Sequence, residues 1–127
     1  MPHIVLQHSN NIIEKSGFKK LFTDYHVYLA GSLSTEMNRC KSRALEISDF
    51  CVGDNDPKHA FIHIDLRILR GRGPDKLRDV GMQLMEITRY HFAESLKNLN
   101  TQVTLEISDL QPNYFKFASE DQFVQMI

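Results

Sequence analysis

Ala60-Phe61-Ile62-His63-Ile64-Asp65-Leu66-Arg67-Ile68, broken by Gly71-Arg72-Gly73 and resumed at Pro74, is the stretch from which the fold is read. Side chains alternate across a strand, so Ile62, Ile64, Leu66 and Ile68 share one face and Phe61, His63, Asp65 and Arg67 the other. The glycines end the strand. Pro74 suits the first turn of a helix, where its missing N–H is no loss, and Asp75 there complements the helix dipole. Leu77, Val80, Gly81, Leu84, Met85, Thr88, His91, Phe92, Leu96 and Leu99 then form one long amphipathic stripe, which predicts a helix up to Asn98–Thr101. Val103, Leu105 and Ile107 alternate with polar residues in a last strand, closed by Gln111-Pro112.

Upstream the same order appears. His3 to His8 reads as a strand, and Ser16-Gly17 opens a helix carrying Phe18, Leu21, Phe22, Tyr25, Tyr28 and Leu29 at three- and four-residue steps. Gly31-Ser32 is its predicted stop. Leu33 to Arg39 has no clear period, Lys41 to Phe50 reads as a second strand, and Gly53-Asp54-Asn55-Asp56-Pro57 is a turn. The expectation is an α/β (α+β) domain over 1–127: two β-α-β units (1–59 and 60–110), a four-stranded mixed sheet and two helices on one face. A strand joined to a strand through a helix implies parallel pairing within each unit. Residues 111–127 form a tail whose Tyr114, Phe115, Phe117, Phe123, Val124 and Ile127 are too many for so short a segment to bury, which points to an oligomer contact.

The chain has 127 residues, 15 basic against 16 acidic, and a net charge of −1, a balance unlike that of a general nucleic-acid binder. Cys40 and Cys51 fit neither a disulfide scaffold nor a CxxC motif, so a reducing, cytoplasmic setting is expected. No apolar run approaches the roughly 18 residues of a membrane span. No metal site is expected: His59 and His63 lie about 13 Å apart on an extended strand, and there is no Cys/His cluster. Gly71-Arg72-Gly73 lacks the rest of a phosphate loop.

Pro2 is the residue with most chemical promise. Initiator methionine is usually removed before a small residue, which would leave a secondary amine at Pro2. Desolvation or nearby cations disfavour its charged form and would make it a base near neutrality, suited to moving protons. The start Met1-Pro2-His3-Ile4-Val5 with Ser9 and Asn11-Ile12, then Ala60-Phe61-Ile62-His63-Ile64 followed by Gly71-Arg72, resembles the 5-carboxymethyl-2-hydroxymuconate isomerases of the tautomerase superfamily. The resemblance spans nearly the whole chain in length and element order. It implies a β-α-β repeat fold, a homotrimer, no cofactor, a small carboxylated substrate from aromatic-compound breakdown, and Pro2 as proton carrier. It also implies Arg72 as the cation stabilising the developing oxyanion, at the family's Gly-Arg position. The family's Arg-Ser-Arg around the second strand reads here Lys41-Ser42-Arg43. Arg43 matches as a carboxylate binder; Lys41 keeps the charge without the bidentate fork, which bears on substrate identity. Alternation puts Lys41 and Arg43 on one face, within reach of one anion. Two other readings stand beside it: a tautomerase acting on another 2-oxo acid, and a non-enzymatic trimeric binding protein that retains Met1.

Overall fold

A computed structural model describes all residues 1–127. Strand β1 (His3–Ser9) is followed by helix α1 (Phe18–Ser32), a single 3-10 turn at Met37–Arg39, and β2 (Lys41–Ile47). The second half repeats the order with β3 (His59–Ile68), α2 (Pro74–His91), a short α3 (Ala93–Asn98) and β4 (Asn100–Asp109). The sheet order is β2-β1-β3-β4. Pairing is parallel within each unit, β1 with β2 and β3 with β4, and antiparallel where the units meet, β1 with β3. The sheet is therefore mixed and the two helices cover one face, as the patterning requires.

Strand alternation decides the core. Ile4 and Leu6 of β1 and Ile62, Ile64, Leu66 and Ile68 of β3 are buried against Leu21, Tyr25 and Leu29 of α1 and Val80 and Leu84 of α2. A one-residue slip of β3 would turn its four aliphatics to the other face. At roughly 1.5–3 kcal/mol each, that loss rivals the whole stability of a domain, about 5–15 kcal/mol, so the register is fixed. His8 points to the helix side and stacks on Phe18 at 5.3 Å, whereas His3 lies on the open face.

Two local expectations need correction. The stripe after Pro74 is two helices, not one. Fully buried Phe92 packs edge-on to His91 at 4.6 Å and against Phe18 at 6.2 Å, and the chain bends there. Glu14 makes the break tolerable: its carboxylate accepts from the Glu94 and Ser95 amides at 3.0 and 3.1 Å, donors that the interruption frees. Helix α1 ends at Ser32, where the sequence placed its stop, and the left-handed residue beyond its end is Ser34, φ 53°. The second strand stops at Ile47 rather than near Phe50. At the other end of α1 the entry residue Gly17 has φ 84°, a left-handed conformation that favours glycine.

The tail carries structure that its sequence did not announce. Phe115–Lys116 (β5) pairs antiparallel with Gln125–Met126 (β6), and the Ile127 amide donates to the Tyr114 carbonyl at 2.8 Å. Its large side chains stay outside the core: Phe115, Phe117, Phe123, Val124 and Met126 are all exposed. No helix is long and apolar enough to cross a membrane.

Candidate functional site

Topology gathers the chain start and several cations at one end of the sheet. Parallel pairing sets His3 opposite Lys41, and the Lys41 amide donates to the Pro2 carbonyl at 3.1 Å. Antiparallel pairing sets His3 opposite Arg67 as well, so the loop leaving β3 returns beside Pro2. Arg72 sits on that loop, just after Gly71, whose φ of 107° suits only glycine.

A cavity of about 120 Å³ forms there, bordered by Met1, Pro2, Leu33, Ser34, Arg39 and Arg72 among others. Arg72 donates to the Leu69 carbonyl from one terminal nitrogen and to the Leu33 carbonyl from the other, both at 2.9 Å. These bonds tie the β3–α2 loop to the end of α1 and hold the guanidinium in place. Three of its five N–H donors remain for another acceptor.

Beside this cavity lies a larger hollow of about 600 Å³, and Met1 and Arg39 border both. Its walls include Asn38 and Lys41 together with the tail residues Tyr114 to Ala118. Arg39 is set by the 3-10 turn, closed by the Arg39 and Cys40 amides on the Glu36 and Met37 carbonyls; its Nε lies 3.9 Å from Glu36.

The electrostatics of this corner favour a neutral amine. Burial lowers the pKa of the amino group on Met1 from its ordinary 8.0; Cys40 opposes the shift, and the charges of Lys41, Arg39 and Arg72 add to it. His3 is lowered too, first by burial, then by Arg43, Lys41, the chain terminus and Arg67. With Met1 in place the Pro2 nitrogen is an amide and carries no basic lone pair. The Met1 side chain, only 6% exposed, then fills the junction of the two hollows. Its removal would free the nitrogen and the junction together.

Of the residues expected from the sequence, Pro2 and Arg72 line one cavity and Lys41 lines the adjoining hollow. Arg43 does not join them. It shares the open face with Lys41 but borders a separate hollow of about 430 Å³ with His3, Asp65, Arg67 and Tyr114. Arg39 was not anticipated, because Leu33 to Arg39 shows no period. A signal existed nonetheless: Arg39, Lys41 and Arg43 follow at two-residue steps, the spacing of one strand face. The tail wall was expected only as an oligomer contact.

The histidines and cysteines are otherwise engaged. His63 lies 2.6 Å from the Thr104 hydroxyl and 3.4 Å from Asp65, and His59 lies 2.9 Å from Asp54. Buried Cys40 and exposed Cys51 are free thiols, and burial raises the Cys40 pKa. No group of three or more His, Cys, Asp or Glu side chains is placed to hold a metal ion.

Comparison with known proteins points the same way. The sequence profile described as 5-carboxymethyl-2-hydroxymuconate isomerase matches residues 2–122. The chain is 27% identical over 112 residues, 88% of its length and 89% of the relative's, to the 5-carboxymethyl-2-hydroxymuconate Delta-isomerase of Escherichia coli. Among solved structures, the 5-carboxymethyl-2-hydroxymuconate isomerase from Deinococcus radiodurans R1 superposes with a TM-score of 0.79 at 24% identity. That match covers 87% of this chain and 83% of the other. A fused 4-OT described as a symmetric trimer superposes with a TM-score of 0.67 at 10% identity, covering 92% of each chain; this similarity concerns the fold alone.

Proposed function

The chain belongs to the 5-carboxymethyl-2-hydroxymuconate isomerase family and is an isomerase, and from that premise we propose that it is a tautomerase of carboxylated 2-hydroxydienoates, with 5-carboxymethyl-2-hydroxymuconate as the first substrate to try. The observation that carries the proposal is that Pro2 and Arg72 border one small cavity while Arg39 and Lys41 crowd the same end of the sheet.

After loss of Met1 the neutral Pro2 nitrogen takes the proton of the 2-hydroxyl group. The electron pair left on oxygen becomes the carbonyl, the π electrons shift along the diene, and the pyrrolidinium returns a proton to carbon. Atoms and electrons balance within one substrate, so nothing is oxidised and no co-reactant is consumed. Negative charge grows on the 2-oxygen during the transfer. Arg72, pinned by two carbonyls, offers donors there without reorganising, which is how a preorganised site lowers a barrier. Arg39 and Lys41 hold the substrate carboxylates. Arg43 faces the neighbouring hollow, where it serves as a further carboxylate ligand once subunits assemble.

A homotrimer accompanies this reading. Its supports are the uncovered sheet face, with Leu45 exposed on it, the exposed apolar tail, and the fold shared with a symmetric trimer. A second substrate, another 2-oxo acid in its enol form, is favoured by one residue, since Lys41 offers a point charge rather than a bidentate fork.

The test has two parts. Intact mass of natively expressed protein should show loss of Met1. The processed protein should then accelerate ketonisation of 2-hydroxymuconate dienols, followed by loss of their ultraviolet absorbance. Pro2→Ala should cost more than tenfold in kcat, since proton transfer by a positioned group contributes about 10²–10⁴. Retention of Met1, or a Pro2→Ala variant as fast as the parent, overturns the mechanism.

A further inference from the structure

The larger hollow has two walls of different chemistry, and one of them is the tail. Besides Arg39 and Lys41, the hollow is lined by Tyr114, Phe115, Phe117 and Val124, an apolar and mostly aromatic set, with Lys116 among them. Lys116 is half-buried, and no carboxylate lies within ion-pair distance of it. The acids bordering the hollow do not neutralise it: Glu36 faces Arg39, and Glu120 makes no ion pair. Lys116 thus borders the hollow with no counter-ion of its own, and an anion entering the hollow would supply one.

The wall is also held in place. The Tyr114 hydroxyl and His3 Nε2 are 2.8 Å apart, which ties the tail to the residue next to Pro2. Lys116 pairs with Gln125 in the β5–β6 ribbon, and the Ala118 amide donates to the Asp121 carboxylate at 2.9 Å. Volumes of about 600 and 120 Å³ joined at Met1 lie in the range of small-molecule sites, and exceed what a reacting dienol head needs.

We infer that Lys116, backed by the aromatic tail, is a specificity residue at the far end of the cleft, binding a carboxylate remote from the reacting dienol. A substrate of the proposed class would then lie with its dienol end at Pro2 and Arg72, its carbon chain against the tail, and one remote carboxylate at Lys116. This rests on the reading of the Pro2 cavity as the reaction site.

The test is calorimetric titration of the Met1-free protein with pimelate and with heptanoate, saturated probes of equal chain length bearing two carboxylates and one. Neither requires turnover. The intact protein should prefer pimelate by about tenfold or more, the range of a charge-assisted hydrogen bond. Lys116→Met keeps an unbranched apolar stem and should reduce that preference to about twofold; Lys116→Arg should restore it. Equal affinity for the two probes, or a preference that survives in Lys116→Met, overturns the inference. Failure of the isomerase mechanism would show separately, as no acceleration of dienol ketonisation.

Discussion

Tyr25 of α1 and Thr88 of α2, both fully buried, share a 2.6 Å hydrogen bond across the helix pair, and the Thr88 hydroxyl also lies 2.7 Å from the Leu84 carbonyl. A carbonyl can only accept, so Thr88 donates to Leu84 and Tyr25 donates to Thr88. The two truncations therefore differ in what they leave behind. Tyr25→Phe removes a donor and leaves the Thr88 proton satisfied, a loss of about 0.5–1.5 kcal/mol. Thr88→Val is close in volume but strands the phenol proton in the core, a loss of about 1–3 kcal/mol. At about 4 °C per kcal/mol for a chain of this size, Thr88→Val should melt visibly lower than Tyr25→Phe. The double variant should lie near Tyr25→Phe, because the stranded donor is gone.

The same pair has an alkaline signature. Burial pushes the Tyr25 phenol from 10.0 to about 12. The folded chain thus holds this proton more tightly than the unfolded chain does. Stability is whole below pH 10 and declines as pH rises toward 12, by up to about 3 kcal/mol. Tyr25→Phe should lack that component. Urea and thermal unfolding followed by circular dichroism from pH 7.5 to 11.5, at one protein concentration, reads both effects. A Tyr25→Phe cost larger than that of Thr88→Val, or an alkaline decline equal in Tyr25→Phe and the parent, refutes the reasoning.

Two further outcomes follow from the site. Arg72→Ala should lower kcat/KM by about 10–100-fold, and Arg72→Lys should recover only part of it, since one ammonium cannot span the Leu33 and Leu69 carbonyls and also face the cavity; unchanged kinetics in Arg72→Ala would remove it from the site. Light scattering after size exclusion should give three times the 14.7 kDa chain mass; a monomer would remove the role assigned to the open sheet face.

The parts of the fold legible in the sequence are those governed by local period. Ile62, Ile64, Leu66 and Ile68 declare a strand with one buried face, and all four are buried. The α2 stripe declares a helix, but period alone cannot show that Phe92 turns out of the helical path into the core. That bend depends on Phe18 and on Glu14, about 80 residues upstream on the other unit. The tail was legible as excess apolar surface, while its ribbon and its position beside the chain start were not, because both come from pairings remote in sequence.

Two β-α-β units, their apolar faces, and an inventory of cations near strand ends were determined by spacing of residue types along the chain, since side-chain direction repeats every two residues in a strand and about every 3.6 in a helix. Which strands meet between the units was left open, and that choice decides the site. Antiparallel pairing of β1 with β3 returns the end of β3, and with it Arg72, to the beginning of β1 at Pro2; parallel pairing would have sent Arg72 to the opposite end of the strands. Parallel pairing of β1 with β2 likewise brings Arg39 and Lys41 to the same end. Which charges share a cavity is a consequence of strand order and direction together, and the order is settled only when the core packs.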